Sequence, residues 1–125
     1  MANKVVSTSK APGAIGPYSQ AKIANGFLFV SGQLPIDPET GIMPESVEEQ
    51  TARSMRNILG IIEAAGGSAK DIVRCGLYVR DMKKFCDINT VYAKFFEEEP
   101  PARFVVEVSA LPKGASIEIE AIAAI

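Results

Sequence analysis

The run from Ile117 to Ala123 constrains the fold more than any other segment. Ile117, Ile119, Ala121 and Ala123 alternate with Glu118, Glu120 and Ile122, and a two-residue period puts the first set on one face of a β-strand and the second on the other. A chain with such a strand must build a sheet with one buried face. The opposite face mixes acids with an isoleucine, so it is read as a subunit interface as well as a solvent face, and the chain as a homo-oligomer.

The elements that cover the buried face follow from punctuation and periodicity. Phe27-Leu28-Phe29-Val30 follows Asn25-Gly26, a hairpin signal with strands on both sides. Pro35, Asp37-Pro38 and Thr40-Gly41 then form a surface loop that cannot continue a central strand. Ser46 with Glu49 makes a capping box, and Met55, Ile58, Leu59 and Ile62 recur at helical spacing until Gly66-Gly67. Arg53, Arg56 and Glu63 lie off that stripe and read as a solvated helix face.

Val73, Cys75, Leu77 and Val79 alternate with Arg74, Gly76, Tyr78 and Arg80 as in a strand with one apolar face. Asp81 caps a second helix with apolar positions Met82, Phe85, Ile88, Tyr92 and Phe95, which ends before Glu97-Glu98-Glu99-Pro100-Pro101. Arg103 to Ser109 and Ser116 to Ala124, joined by Leu111-Pro112-Lys113-Gly114, read as an antiparallel hairpin. The order of strands, helix, strand, helix, strands predicts an α+β layer, with two helices packed on one face of a mixed sheet. At 125 residues the chain is expected to form one domain over 1–125.

Composition removes several functions. There is no histidine, hence neither the commonest general base nor the commonest metal ligand. Thirteen Lys and Arg are dispersed in a chain of net charge −2, so the basic patch of a nucleic-acid binder is missing. No apolar run approaches a membrane span, and Met1-Ala2-Asn3-Lys4 leads into Val5-Val6-Ser7-Thr8 without a signal-peptide core, which favours the cytoplasm. Cys75 and Cys86 are not spaced as a redox or zinc motif and are expected to be buried free thiols.

In the final hairpin, period-two alternation groups Arg103, Val105, Glu107 and Ser109 on one face, with Glu118 and Glu120 on one face of the partner strand. Cations and carboxylates are thus expected on a common surface, where they can pair across the sheet or meet a ligand. Asn89 falls near an apolar helix stripe and is either a hydrogen-bond hub or a ligand contact. Four motifs now occur in order: Gly16-Pro17-Tyr18-Ser19-Gln20, Ser31-Gly32-Gln33-Leu34-Pro35, Pro101-Ala102-Arg103, and Leu111-Pro112-Lys113-Gly114 with Ile117-Glu118-Ile119-Glu120-Ala121-Ile122-Ala123. Over essentially its whole length the chain resembles the RidA (YjgF-like) family of reactive-intermediate deaminases.

That resemblance implies a chorismate-mutase-like α+β fold of the bacillus type, assembled as a homotrimer with pockets between subunits. It also implies a 2-iminobutanoate/2-iminopropanoate deaminase, hydrolysing enamines and imines such as 2-aminoacrylate to 2-keto acids and ammonia. These substrates are released by pyridoxal-phosphate enzymes, while the deaminase itself is expected to need no cofactor and no metal. Arg103 would bind the substrate carboxylate through its planar donor fork. Glu118 would position or deprotonate the attacking water. Tyr18, Gly32 and Asn89 match pocket positions, and Glu120 matches a family position with a structural part.

Val105 stands where many deaminating members carry cysteine, though the family's pocket uses the backbone carbonyl there. Glu99-Pro100-Pro101 also replaces the aromatic residue that often precedes Pro-Ala-Arg. A hairpin turning near Pro112 would put Arg103 opposite Ile122 and Glu118 opposite Glu107, about 13 Å apart. The two groups are therefore expected to meet across a subunit boundary. A non-catalytic trimer that binds small carboxylates is the alternative, and an RNA-acting translation inhibitor or endoribonuclease the weaker one.

Overall fold

The computed structural model describes residues 3–125; Met1 and Ala2, part of the N-terminal stretch considered above, lie outside the described residues. The strands are β1 (Lys4–Val6), β2 (Ala21–Ala24), β3 (Phe27–Gln33), β4 (Ile72–Val79), β5 (Ala102–Glu107) and β6 (Ile117–Ala124), and the helices are α1 (Val47–Ala64) and α2 (Phe85–Ala93). They form a six-stranded mixed sheet in the order β1-β2-β3-β6-β4-β5. Every pair is antiparallel except β4 with β5. Both helices pack on one face, as the alternation and the helical spacing predict.

Local chemistry accounts for most of these elements. Asn25 and Gly26 both take positive φ, 51° and 80°, which matches the right-handed twist of the β2–β3 hairpin. Ser46 accepts a hydrogen bond from the Glu49 N–H at 3.1 Å and starts α1. Met55, Ile58, Ile61 and Ile62 of α1 are fully buried against Leu28, Leu77, Ile117 and Ile119. Each such side chain contributes roughly 1.5–3 kcal/mol by leaving water.

The expected β5–β6 hairpin does not form. β5 runs parallel to β4, with Cys75 opposite Arg103, and β6 inserts between β3 and β4, with Tyr78 opposite Glu118. The turn at Leu111–Gly114 therefore carries the chain over β4 rather than folding β6 back on β5. β4 itself breaks its alternation at a bulge between Ile72 and Arg74, which leaves Val73 exposed. Asp81 caps a short 3₁₀ turn, Met82–Lys84, ahead of α2. Cys75 is buried as expected, but Cys86 is exposed on α2.

The loop after β3 is held by one buried amide. Asn57 of α1 donates to the carbonyls of Leu34 and Ile36 at 3.1 and 2.9 Å, and its own oxygen accepts from Arg53 at 3.2 Å. Replacing it with alanine strands two carbonyls, each worth roughly 1–3 kcal/mol when desolvated without a partner. Asn57→Ala is expected to lower the unfolding free energy by about 2–4 kcal/mol in urea denaturation.

Candidate active site

The sheet's register decides which candidate residues share a surface. Arg103 pairs with Cys75 and Cys75 with Ala121, both core residues, so Arg103 points to the helix side. Glu118 pairs with Tyr78 and Glu120 with Gly76 on the open side. Arg103 and Glu118 thus project from opposite faces and lie two strands apart, because β4 separates them. The common charged surface expected from a hairpin does not exist within one chain.

On the helix side, Arg103 is received by α2. Its Nη1 donates to Asn89 Oδ1 at 2.8 Å. Its guanidinium carbon lies 5.5 Å from the centre of the Phe85 ring and 4.9 Å from that of Tyr92, within cation–π range. Among the described residues no carboxylate forms a salt bridge with it. Val105, two residues on, packs its side chain toward the core opposite Leu77. Val108 N–H donates to the Val79 carbonyl, so by the alternation of a parallel ladder the backbone groups of Arg103 and Val105 face the unpaired edge of the sheet.

On the open side, two neighbouring acids are treated differently. Glu120 accepts from Arg74 at 3.1 Å and from the Tyr78 hydroxyl at 2.6 Å. That bond, followed by burial, raises the Tyr78 phenol above its ordinary range. Gly76 makes the arrangement possible, since a Cβ there would come within 2.4 Å of the Phe104 ring and 3.0 Å of Glu120. Glu118 has no side-chain hydrogen bond among the described residues. Partial burial first, and the charge of Glu120 second, raise its carboxyl above the usual 4.5.

Gly32 explains the space that Glu118 occupies. Between Val30 and Gln33 the β3 register slips against Ala121 and Ile119 of β6, so Ser31 and Gly32 together face Glu120. A Cβ on Gly32 would lie 2.8 Å from Glu118 Oε2, so a larger residue would push the carboxyl out of this position. Ser31 also ties in the loop that carries Tyr18, bonding to the carbonyls of Ser19 and Gln20. Gln20 braces that loop by accepting from Thr8 N–H at 2.7 Å and donating to the Pro12 carbonyl at 2.7 Å. Tyr18 remains half exposed.

The candidates therefore fall into two half-sites, Arg103 with Asn89 and Val105, and Glu118 with Gly32 and the Tyr18 loop. Clefts of about 350, 480 and 520 Å³ on the chain are lined by none of these residues. Sequence reading missed the aromatic pair beneath Arg103. Its signal was the spacing of Phe85, Asn89 and Tyr92, which puts all three on one helix face.

The profile of the family described as Endoribonuclease L-PSP matches residues 8–125. The chain is 44% identical over 124 residues to the 2-iminobutanoate/2-iminopropanoate deaminase of Salmonella typhimurium, covering 97% of each. The chain belongs to the RidA (YjgF-like) family. An archaeal relative, a RutC family protein of Pyrococcus abyssi, is 52% identical over 98% of both chains. The crystal structure of E. coli TdcF with bound serine superposes with a TM-score of 0.95 at 42% identity, over 98% of each chain. This RidA-family chain shares its fold with that structure along nearly its whole length.

The two acids can be told apart by titration. In ¹³C-detected NMR of glutamate-labelled protein, the Glu118 carboxyl is expected to titrate above 4.5. Glu120→Gln should shrink that shift without abolishing it, because burial is its larger cause.

Proposed function

We propose that the protein is an imine and enamine deaminase, converting short 2-imino acids such as 2-iminopropanoate and 2-iminobutanoate, and the enamine 2-aminoacrylate, to 2-keto acids and ammonia. The observation that carries this reading is the contrast between the adjacent acids. Glu120 is held by Arg74 and Tyr78, whereas among the described residues Glu118 has no hydrogen-bond partner and its carboxyl is raised above the ordinary range, the direction in which a carboxylate is tuned to act as a general base. The deaminase relative in Salmonella and the serine held by E. coli TdcF support a small amino-acid-like substrate.

Arg103 supplies the binding half. Its donors not committed to Asn89 engage the substrate carboxylate as a planar fork and aim the neighbouring C=N carbon. An enamine first takes a proton on its terminal carbon to become the imine. Glu118 then removes a proton from water as the oxygen adds to the carbon of the protonated C=N group, giving a carbinolamine. The proton held by Glu118 passes to the nitrogen, and collapse of that species forms the keto C=O and expels ammonia as the regenerated Glu118 carboxylate takes the hydroxyl proton. Val105 offers its edge-facing carbonyl to hold water, a task that the missing thiol does not affect.

Because the half-sites occupy opposite faces of one sheet, the reading includes a homotrimer whose pockets lie between subunits. The helix-free face supports it: Phe27, Phe29 and Val106 are 43%, 46% and 41% exposed there, and Ile122 lies across from Phe29. No described helix is long and apolar enough to cross a membrane, and a cytoplasmic setting belongs to the same proposal. RNA cleavage is disfavoured by the absence of histidine and of clustered basic residues.

The test generates 2-aminoacrylate with a serine or threonine dehydratase and follows keto-acid release. Arg103→Ala is expected to lower kcat/KM at least about 100-fold, and Glu118→Gln to lower kcat about 10²–10⁴-fold. The carboxylate is the active form, so kcat/KM should fall as the pH drops through the raised Glu118 titration, a limb that Glu118→Gln removes. Keto-acid binding without acceleration by the unaltered protein would instead leave a carboxylate-binding trimer.

A further inference from the structure

Arg103 presents an unusual electrostatic situation. It is half-buried, yet among the described residues it forms no salt bridge and makes one side-chain hydrogen bond, to Asn89. Its guanidinium also lies near the rings of Phe85 and Tyr92, at 5.5 and 4.9 Å. Phe85 and Tyr92 stand about 10.5 Å apart along the axis of α2, yet both rings lie about 5 Å from the same guanidinium carbon, with Asn89 between them in sequence. A carboxylate holder would neutralise the guanidinium and occupy its fork. Aromatic faces attract the cation through their quadrupoles and consume none of its donors.

We propose that Phe85 and Tyr92 are positioning residues: their rings hold the Arg103 guanidinium in the plane that offers its free donors to a substrate carboxylate. This deepens the deaminase reading and rests on it. Tyr92 acts through its ring rather than its hydroxyl. The hydroxyl is buried without a hydrogen-bond partner of good geometry and lies toward the Cys75 thiol. The ring is braced by Phe96, whose centre is 5.0 Å away. Phe85 is half-buried at the first turn of α2, so its replacement tests the clamp with little risk to the core.

The experiment measures kcat and KM in the dehydratase-coupled assay and the Kd for 2-oxobutanoate, a stable 2-keto acid, by calorimetry. Phe85→Leu and Tyr92→Leu are each expected to raise KM and Kd about 3–30-fold, the range of a partly desolvated cation–π contact, with kcat changed much less. Tyr92→Phe, which keeps the ring, should stay within about twofold of the unaltered protein. Unchanged KM and Kd in Phe85→Leu, or a Tyr92→Phe variant as impaired as Tyr92→Leu, would overturn the clamp. If Arg103→Ala loses binding while the leucine variants bind normally, the clamp fails and the deaminase site stands. If Arg103→Ala itself binds and turns over normally, both readings fall.

Discussion

The placement of β6 between β3 and β4 is the constraint on which the rest of the structure depends. Its alternation gives Ile117, Ile119, Ala121 and Ala123 to the core, so the register is fixed by burial, and a slip of one residue would exchange buried isoleucines for glutamates. The same register delivers Glu118 and Glu120 to the open face. There β4 contributes Arg74 and Tyr78 to hold one acid, while the bulge in β3 leaves room for the other. Fold stability and candidate chemistry thus rest on one strand's two-residue period.

The site's electrostatics follow from what each charged group lacks. Among the described residues Glu118 is partly buried without gaining a hydrogen bond, and that burial, followed by the charge of Glu120, raises its carboxyl. Arg103 is held by an amide and two rings, which leaves a cation with free donors. Among the described residues neither finds a charged partner, and the sheet stands between them. A symmetric assembly that lays the open face of one copy against the edge of another resolves both deficits at once.

Much of this was legible in the sequence because it is local. The N-cap at Ser46, the Asn25-Gly26 turn, the helical spacing of α1 and the period of β6 are each set by neighbours within a few residues. The reciprocal half of the capping box at Ser46 does not form, because Glu49 meets the Ser46 hydroxyl and not its N–H. Strand order is not local, and that is where sequence reading failed. Leu111–Gly114 carries the residues of a tight turn, yet Arg103's strand pairs with Cys75's and leaves β6 to another partner. The inferred charged surface disappeared with the hairpin. The motif residues Arg103 and Glu118 were recognisable, while their placement on opposite faces required the register. Phe85 and Tyr92 were read as core stripe, since nothing local distinguishes a ring that packs on leucine from one that packs on a guanidinium.

The central claim is that a working site takes Arg103 from one subunit and Glu118 from another, and subunit mixing tests it most directly. Arg103→Ala and Glu118→Gln chains with different affinity tags are co-expressed, and all trimers are assayed against each homotrimeric variant. With random assembly of equal amounts, about one interface in four receives an intact Arg103 and an intact Glu118, so activity should return to about a quarter of the unaltered protein's per site. If trimers carrying both tags stay as inactive as the parent variants, the two groups do not meet across a subunit boundary, and the account is contradicted.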